Sequence, residues 1–302
     1  MAQAHPTAGG ILLVDKPGGL TSHDVVARTR RAFGTRKVGH AGTLDPMATG
    51  LLVIGVEGST RLLTYLVGLG KTYTATIRLG AATTTDDAEG ETLAPVDEVA
   101  LAAVADAAIA DGVAALTGAI SQVPSAVSAI KVDGRRAYDR VRAGEEVSLA
   151  AREVTISRFD VKAIRRSAGA IDLDVVVDCS SGTYIRALAR DLGASLGIGG
   201  HLTALRRTHV GPFGVAEAAA VDALDDAVLL PAAEVAARVL GRFDATADEA
   251  RDLRHGKRLE GAAVRLAGAR AAAIDPDGVL VGVVEKRGAA LKSAMNMPES
   301  LS

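Results

Sequence analysis

Tryptophan is absent from this 302-residue sequence, cysteine occurs once, and Phe and Tyr occur four times each. The single cysteine, Cys179, can close no internal disulfide, and no cysteine cluster provides a zinc site. A reducing cytoplasm is therefore the expected compartment. The six histidines are scattered and never form His-Glu-x-x-His, so no metal is expected. No apolar run approaches the roughly 20 residues that span a bilayer. The opening Met1-Ala2-Gln3-Ala4-His5-Pro6 lacks the basic start and apolar stretch of a signal peptide. An unexported chain with no membrane partner is expected.

What is present is globular in kind. Apolar residues make up 48% and charged residues 23%, enough for a sizeable core in one large domain plus a small one. Taken as an average, the net charge of -2 argues against a nucleic-acid partner, but the average conceals a segregation. Residues 81–120 hold eight acids (Asp86, Asp87, Glu89, Glu91, Asp97, Glu98, Asp106, Asp111) and no Lys, Arg or His, which leaves the rest of the chain at +6. Arg28, Arg30, Arg31, Arg36 and Lys37 fall between Val25 and Leu44 with no acid among them. Such a run is either a solvated helix face or a surface for phosphates.

Periodicity gives the elements. Gly10 to Asp15 reads as a buried strand, closed by Lys16-Pro17-Gly18-Gly19. Thr21 or Ser22 caps the following helix, with Asp24 in its first turn and Gly34 after its Arg-rich end. Leu51 to Val56 is a central strand, and Lys71 to Leu79 alternates with period two, placing Tyr73 on the face of Lys71 and Ala75. A helical pattern runs from about Val96 to Leu116. Ala126 to Val132 suggests a strand with a tight turn at Asp133-Gly134, and Arg135 to Arg142 a short basic helix. Strands follow at Arg152 to Val161 and Ala170 to Cys179, then a helix from near Thr183 to Leu196. Val221 to Arg242 is helical in pattern, and beyond about 240 the character changes to a small β-rich segment around Asp275-Pro276-Asp277-Gly278. Strands joined by both hairpins and helices predict an α+β class, with a mixed, largely antiparallel sheet flanked by helices.

Two local patterns suggest other chemistry and fail. Gly70-Lys71-Thr72 resembles the end of a phosphate-binding P-loop, but Tyr65 stands where the pattern requires glycine. Ser128-Ala129-Ile130-Lys131 matches Ser-x-x-Lys without its companion motifs. The run Gly39-His40-Ala41-Gly42-Thr43-Leu44-Asp45-Pro46-Met47-Ala48-Thr49-Gly50 differs in kind. It sets a carboxylate, Asp45, on a Gly-rich loop, stiffened by Pro46, between a helix and a buried strand.

Taken with Asp15-Lys16-Pro17 and Thr21-Ser22, that run resembles the N-terminal signature of the tRNA pseudouridine synthase B family. Lys71-Thr72-Tyr73 resembles the family's second motif. Cys179-Ser180-Ser181-Gly182-Thr183-Tyr184-Ile185-Arg186 with Asp191-Leu192-Gly193 resembles its third, and Gly200 to Arg207 a fourth. The resemblance implies the pseudouridine synthase fold, with a catalytic domain at 9–235 and a small PUA-like RNA-binding domain at 241–302. It implies isomerisation of uridine 55 in the T-loop of tRNA, without cofactor, metal or guide RNA, by a monomer that recognises the T-arm stem-loop. By motif match, Asp45 is the nucleophile and Arg186 its counter-ion. Tyr73 stacks on the flipped base and assists proton removal from C5, Tyr184 lines the same pocket, Leu205 contacts the uracil, and His40 fills the space vacated in the T-loop. Arg36 and Lys37 belong to the basic approach surface. Whether the carboxylate adds to ring or sugar, or removes the 2' proton, stays open at this level. The alternative from another class is a tRNA-binding or folding chaperone with incidental catalysis.

Overall fold

The structure is a computed structural model that describes residues 9–93, 97–125, 131–132, 135–136 and 149–298. Its elements begin with β1 (Gly10–Lys16), α1 (Ser22–Ala32), β2 (Val38–His40), β3 (Thr49–Val56), α2 (Leu63–Leu66) and β4 (Lys71–Leu79). Next come α3 (Glu98–Ala103), α4 (Asp106–Ala115), β5 (Gly118–Gln122), β6 (Lys131–Val132), β7 (Arg135–Arg136), β8 (Arg152–Ser167), β9 (Ala170–Cys179), α5 (Ile185–Ser195) and β10 (Gly200–Val210). The chain ends with β11 (Phe213–Gly214), β12 (Ala219–Ala220), α6 (Ala232–Leu240), β13 (Arg242–Asp244), α7 (Ala247–Arg254), β14 (Arg270–Ile274), β15 (Leu280–Arg287) and β16 (Ala290–Asn296). These elements segregate into two compact units, residues 45–50 with 68–210, and residues 1–44, 51–67 and 211–302.

The first of these units is built on the antiparallel strand order β10-β4-β9-β8-β5. Along β4, Lys71, Tyr73, Ala75, Ile77 and Leu79 are buried, while Thr72, Thr74, Thr76 and Arg78 face outward, as the period of two requires. Ile77, Leu173, Val177 and Ile156 are fully buried, and α5 covers this face with Ile185, Leu188 and Leu192. Each such side chain contributes about 1.5 to 3 kcal/mol of transfer free energy. The outward face carries charge ladders instead, Arg78 on Asp172 and Arg158 on Asp178. The helix forecast over Val96 to Leu116 is two helices, α3 and α4, because Val104 and Ala105 adopt extended backbone. Arg166 Nη2 donates to the Val104 carbonyl at 2.8 Å, holding that oxygen outside the helical ladder. Arg135 and Arg136 pair with Lys131 and Val132 as strands, so the basic helix forecast from Arg135 does not begin there. The remaining residues of that forecast, 137–142, and those of the strand forecast over 126–130, lie outside the described residues.

In the second unit, Thr21 caps α1 through a reciprocal box, its Oγ1 accepting from the Asp24 N–H while the Asp24 carboxylate accepts from the Thr21 N–H. Helix α1 buries Val25 and Val26 in a cluster with Leu12, Val14, Leu52 and Ile54 of β1 and β3. Lys16, fully buried, donates from Nζ to the carbonyls of Pro17 and Leu20 and so closes the turn after β1. The helical forecast over Val221 to Arg242 resolves into a 3-10 segment at Val221–Asp226 and then α6, with Pro231 at its N-cap. The last residues form the sheet β13-β14-β15-β16 around Phe243, Leu253, Ala273, Val284 and Leu291. Among the described residues no helix is long and apolar enough to cross a membrane.

Candidate active site

Asp45 sits where β2 has ended and β3 has not begun. Pro46 occupies the second position of a four-residue turn closed by the Ala48 N–H donating to the Asp45 carbonyl at 3.1 Å. Two residues on, Gly50 runs at φ +101° with its Cα hydrogens against the backbone of Arg207. A Cβ there would stand 2.2 Å from the Arg207 carbonyl oxygen, so only glycine lets the strand leave the loop along this path. On the other side, Leu44 is fastened by buried Ser22, whose Oγ accepts from the Leu44 N–H at 2.9 Å and donates to its carbonyl at 3.1 Å. The residue before the carboxylate is thus held by a side-chain hydroxyl, and the strand after it by a close backbone approach.

The carboxylate itself is 35% exposed and meets a cation that is not, since Arg186 Nε lies 3.0 Å from Asp45 Oδ2 and the Arg186 side chain is 3% exposed. Helix α5 holds that guanidinium on its buried face. Its Nη1 also lies 3.3 Å from Asp87 Oδ2, with the Asp87 side chain 4% exposed, and donates to the Thr85 carbonyl at 2.8 Å. Asp87 is locked in turn, its Oδ1 accepting from the Thr85 hydroxyl and from the Glu89 N–H. One buried cation therefore stands between an enclosed carboxylate that offsets its desolvation and a second that still reaches solvent. Asp87 was not anticipated from the sequence, where it is one acid among eight.

Tyr73 lies opposite Arg207 across β4 and β10, and both are buried. Burial pushes the Tyr73 phenol above its ordinary value, the Asp45 charge adds to this, and a hydrogen bond from Arg207 opposes it. The phenol is neutral at physiological pH. Lys71, on the same face, is pushed down to about 8 by burial and by the Arg207 charge, and the neighbouring Cys179 thiol is pushed up to about 11 by burial. A catalytic role for Cys179 has no support in this inert environment. Tyr184, half-buried at the start of α5, is held by its backbone, the Gln122 side chain accepting from its N–H at 2.8 Å and donating to its carbonyl at 3.1 Å. Leu205 borders an open cleft of about 480 Å³ with Met47, Thr49, Thr74, Thr76 and Arg206, and neither Tyr73 nor Tyr184 contributes to its wall.

His40, Arg36 and Lys37 belong to the other compact unit. His40 is half-buried with its ring edge-on to His23 at 5.6 Å, Arg36 is exposed, and Lys37 reaches Glu57 at 3.5 Å. Arg28, Arg30 and Arg31 are exposed on α1. Among the described residues no group of three or more His, Cys, Asp or Glu side chains is arranged to hold a metal ion.

Three family models match the chain. TruB family pseudouridylate synthase (N terminal domain) covers residues 30–185, tRNA pseudouridylate synthase B C-terminal domain covers 186–247, and tRNA Pseudouridine synthase II, C terminal, covers 240–298. A protein of Leifsonia xyli subsp. xyli named tRNA pseudouridine synthase B is 62% identical over 291 residues, 96% of either chain. One of the same name from Nocardia farcinica is 60% identical over 282 residues, 93% of this chain and 90% of the other. Among solved structures, a chain of an H/ACA RNP bound to a substrate RNA containing 2'-deoxyuridine superposes with a TM-score of 0.70 at 22% identity. That match covers 98% of this chain and 86% of the other, a likeness of fold.

Proposed function

The chain belongs to the TruB family of pseudouridylate synthases, isomerases of RNA, and from that premise we propose that it converts uridine 55 of the tRNA T-loop to pseudouridine with Asp45 as the catalytic carboxylate. The observation that carries the reading is the pairing of a solvent-reachable Asp45 with a buried Arg186 whose far side is engaged by Asp87. A carboxylate in a closing pocket would be driven towards its protonated form by desolvation, and an adjacent cation keeps it ionised.

The isomerisation breaks the bond between ribose C1' and N1, turns the base, and forms a bond between C1' and C5. The proton leaves C5 and N1 gains one, so atoms and charge balance without any redox partner. In this reading Asp45 acts at the junction of ribose and base, and Arg186 holds its charge and aim. The base must leave its stack, at a cost of a few kcal/mol. Stacking on Tyr73, at about 1 to 3 kcal/mol, offsets much of that. The neutral phenol can then help carry away the C5 proton, with Leu205 meeting the uracil from the cleft it borders and Tyr184 reaching the base from outside that cleft. His40 takes the space the base vacates, and Arg36 and Lys37 approach the phosphates. Residues 9–235 form the catalytic part and 241–302 a PUA-like RNA contact. The enzyme works in the cytoplasm as a monomer on free tRNA, without a guide RNA.

The test is release of tritium from a T-arm hairpin labelled at uridine C5, with no other macromolecule added. Release in step with pseudouridine formation at position 55 is the expected result, and modification elsewhere in the hairpin would overturn the positional assignment.

A further inference from the structure

Helix α5 carries a second arginine, Arg190, one turn beyond Arg186, and i and i+4 share a helix face. Where Arg186 meets Asp87, Arg190 meets the preceding residue, its Nη1 lying 3.2 Å from Asp86 Oδ2. Two consecutive carboxylates thus grip two arginines one turn apart. In extended backbone consecutive side chains point to opposite sides. Asp86 departs from that alternation with φ +59°, in the left-handed region that asparagine and aspartate tolerate better than other side chains but still at a cost. Its main chain is held there, its N–H donating to the Thr83 carbonyl and its carbonyl accepting from Leu202 of β10 at 3.0 Å.

Arg190 does more than hold Asp86. Its Nη2 donates to the Val123 carbonyl at 2.7 Å, and its Nε donates to Asp191 at 2.8 Å. Val123 follows Gln122, the buried side chain that brackets the Tyr184 backbone. The end of β5 is therefore fastened at both ends of the Tyr184–Arg190 stretch, and Arg186 lies between the two fastenings. Asp87, which shares the Arg186 guanidinium with Asp45, is held by the Thr85 hydroxyl and the Glu89 N–H, and its neighbour Asp86 is held by Arg190.

We propose that Arg190 is a positioning residue for pseudouridine formation, setting through Asp86 and Asp87 the angle at which Arg186 faces Asp45. This rests on the reading of Asp45 as the catalytic carboxylate. Arg190 touches no substrate in it and reaches Arg186 through the two aspartates, while its bond to the Val123 carbonyl holds the end of β5. Loosening it leaves RNA binding intact and displaces the Arg186 fork relative to Asp45. A displacement of the order of 1 Å costs about 100-fold in rate.

Single-turnover tritium release at saturating T-arm hairpin, the hairpin Kd and urea unfolding are to be measured for the wild type and for Arg190→Met, Arg190→Lys, Asp86→Asn and the Asp86→Asn/Arg190→Met double variant. The expected result is a fall of about 10- to 100-fold in the rate for Arg190→Met, with Kd within about threefold of wild type. Asp86→Asn should fall similarly, the double variant should be no slower than the worse single variant, and Arg190→Lys should recover part of the rate. A rate per folded molecule within about twofold of wild type, a loss residing wholly in Kd, or multiplying single effects would each overturn the proposal. Should Arg190→Met not fold, Asp86→Asn and Arg190→Lys decide by the same rate criterion. Wild type that releases no tritium would instead overturn the reading of the site itself.

Discussion

Removing the Arg186 guanidinium strands Asp87, whose side chain is 4% exposed, without the cation that compensates its burial. Breaking such a pair from one side typically costs about 3 to 5 kcal/mol. Arg186→Met should therefore lose stability of that order in urea unfolding as well as activity. Arg186→Lys, which keeps the charge but lacks a fork to meet two carboxylates, should retain more stability than activity. Lys71 gives a pH signature. Its pKa is lowered from 10.5 to about 8, so between those values the unfolded chain holds a proton that the folded chain has released. The penalty is complete below pH 8 and relieved as pH rises towards 10.5. From pH 7 to pH 10 the stability of wild type relative to Lys71→Met should rise, by about 1 to 3 kcal/mol, and parallel curves would contradict the burial account. Asp45 and Arg186 stand out in the sequence because they lie in long motifs, and the structure sets them 3.0 Å apart. Asp87 and Arg190 do not, because their significance comes from pairings over about a hundred residues of sequence, Arg186 to Asp87 and Arg190 to Asp86.

At the scale of elements, the exit from the Asp45 loop depends on the missing side chain at Gly50. Gly50→Ala combines a positive φ with a Cβ 2.2 Å from the Arg207 carbonyl oxygen, and backbone cannot give way as a side-chain tip can. We expect a loss above about 2 kcal/mol by chemical denaturation and a comparable loss of activity in whatever fraction remains folded. Strands β1, β4 and β9 were legible because burial on one or both faces leaves a clean pattern. The Ala-rich stretches were misread for a physical reason. Alanine favours helix without saying where a helix begins or stops; α3 stops at Val104, whose carbonyl Arg166 holds, and α6 begins only after Pro231 at its N-cap. The basic stretch after Gly134 read as helix by composition, yet Arg135 and Arg136 are held in a strand pair.

For the whole molecule, the segregation of charge matters more than its sum of -2. The exposed Arg28, Arg30 and Arg31 on α1 should make T-arm binding weaken with salt. Changing all three to Glu should lower affinity and reduce the magnitude of the log Kd against log salt slope by about 1 for each phosphate no longer neutralised. The rate at saturating RNA should be unchanged, and an unaltered slope would place the RNA-binding surface elsewhere. The fold class was legible from the mixture of hairpins and helical connections, whereas the division into two compact units was not, because residues 45–50 group with 68–210 while the strand they enter continues in the other unit. The carboxylate proposed as catalytic rides on that short segment, and the central claim is tested most directly there. Asp45→Asn keeps the size and polarity of the side chain and removes its charge, so the T-arm hairpin should bind within about threefold of wild type while C5 tritium release disappears in single turnover. Retained release by a folded Asp45→Asn protein would contradict the account.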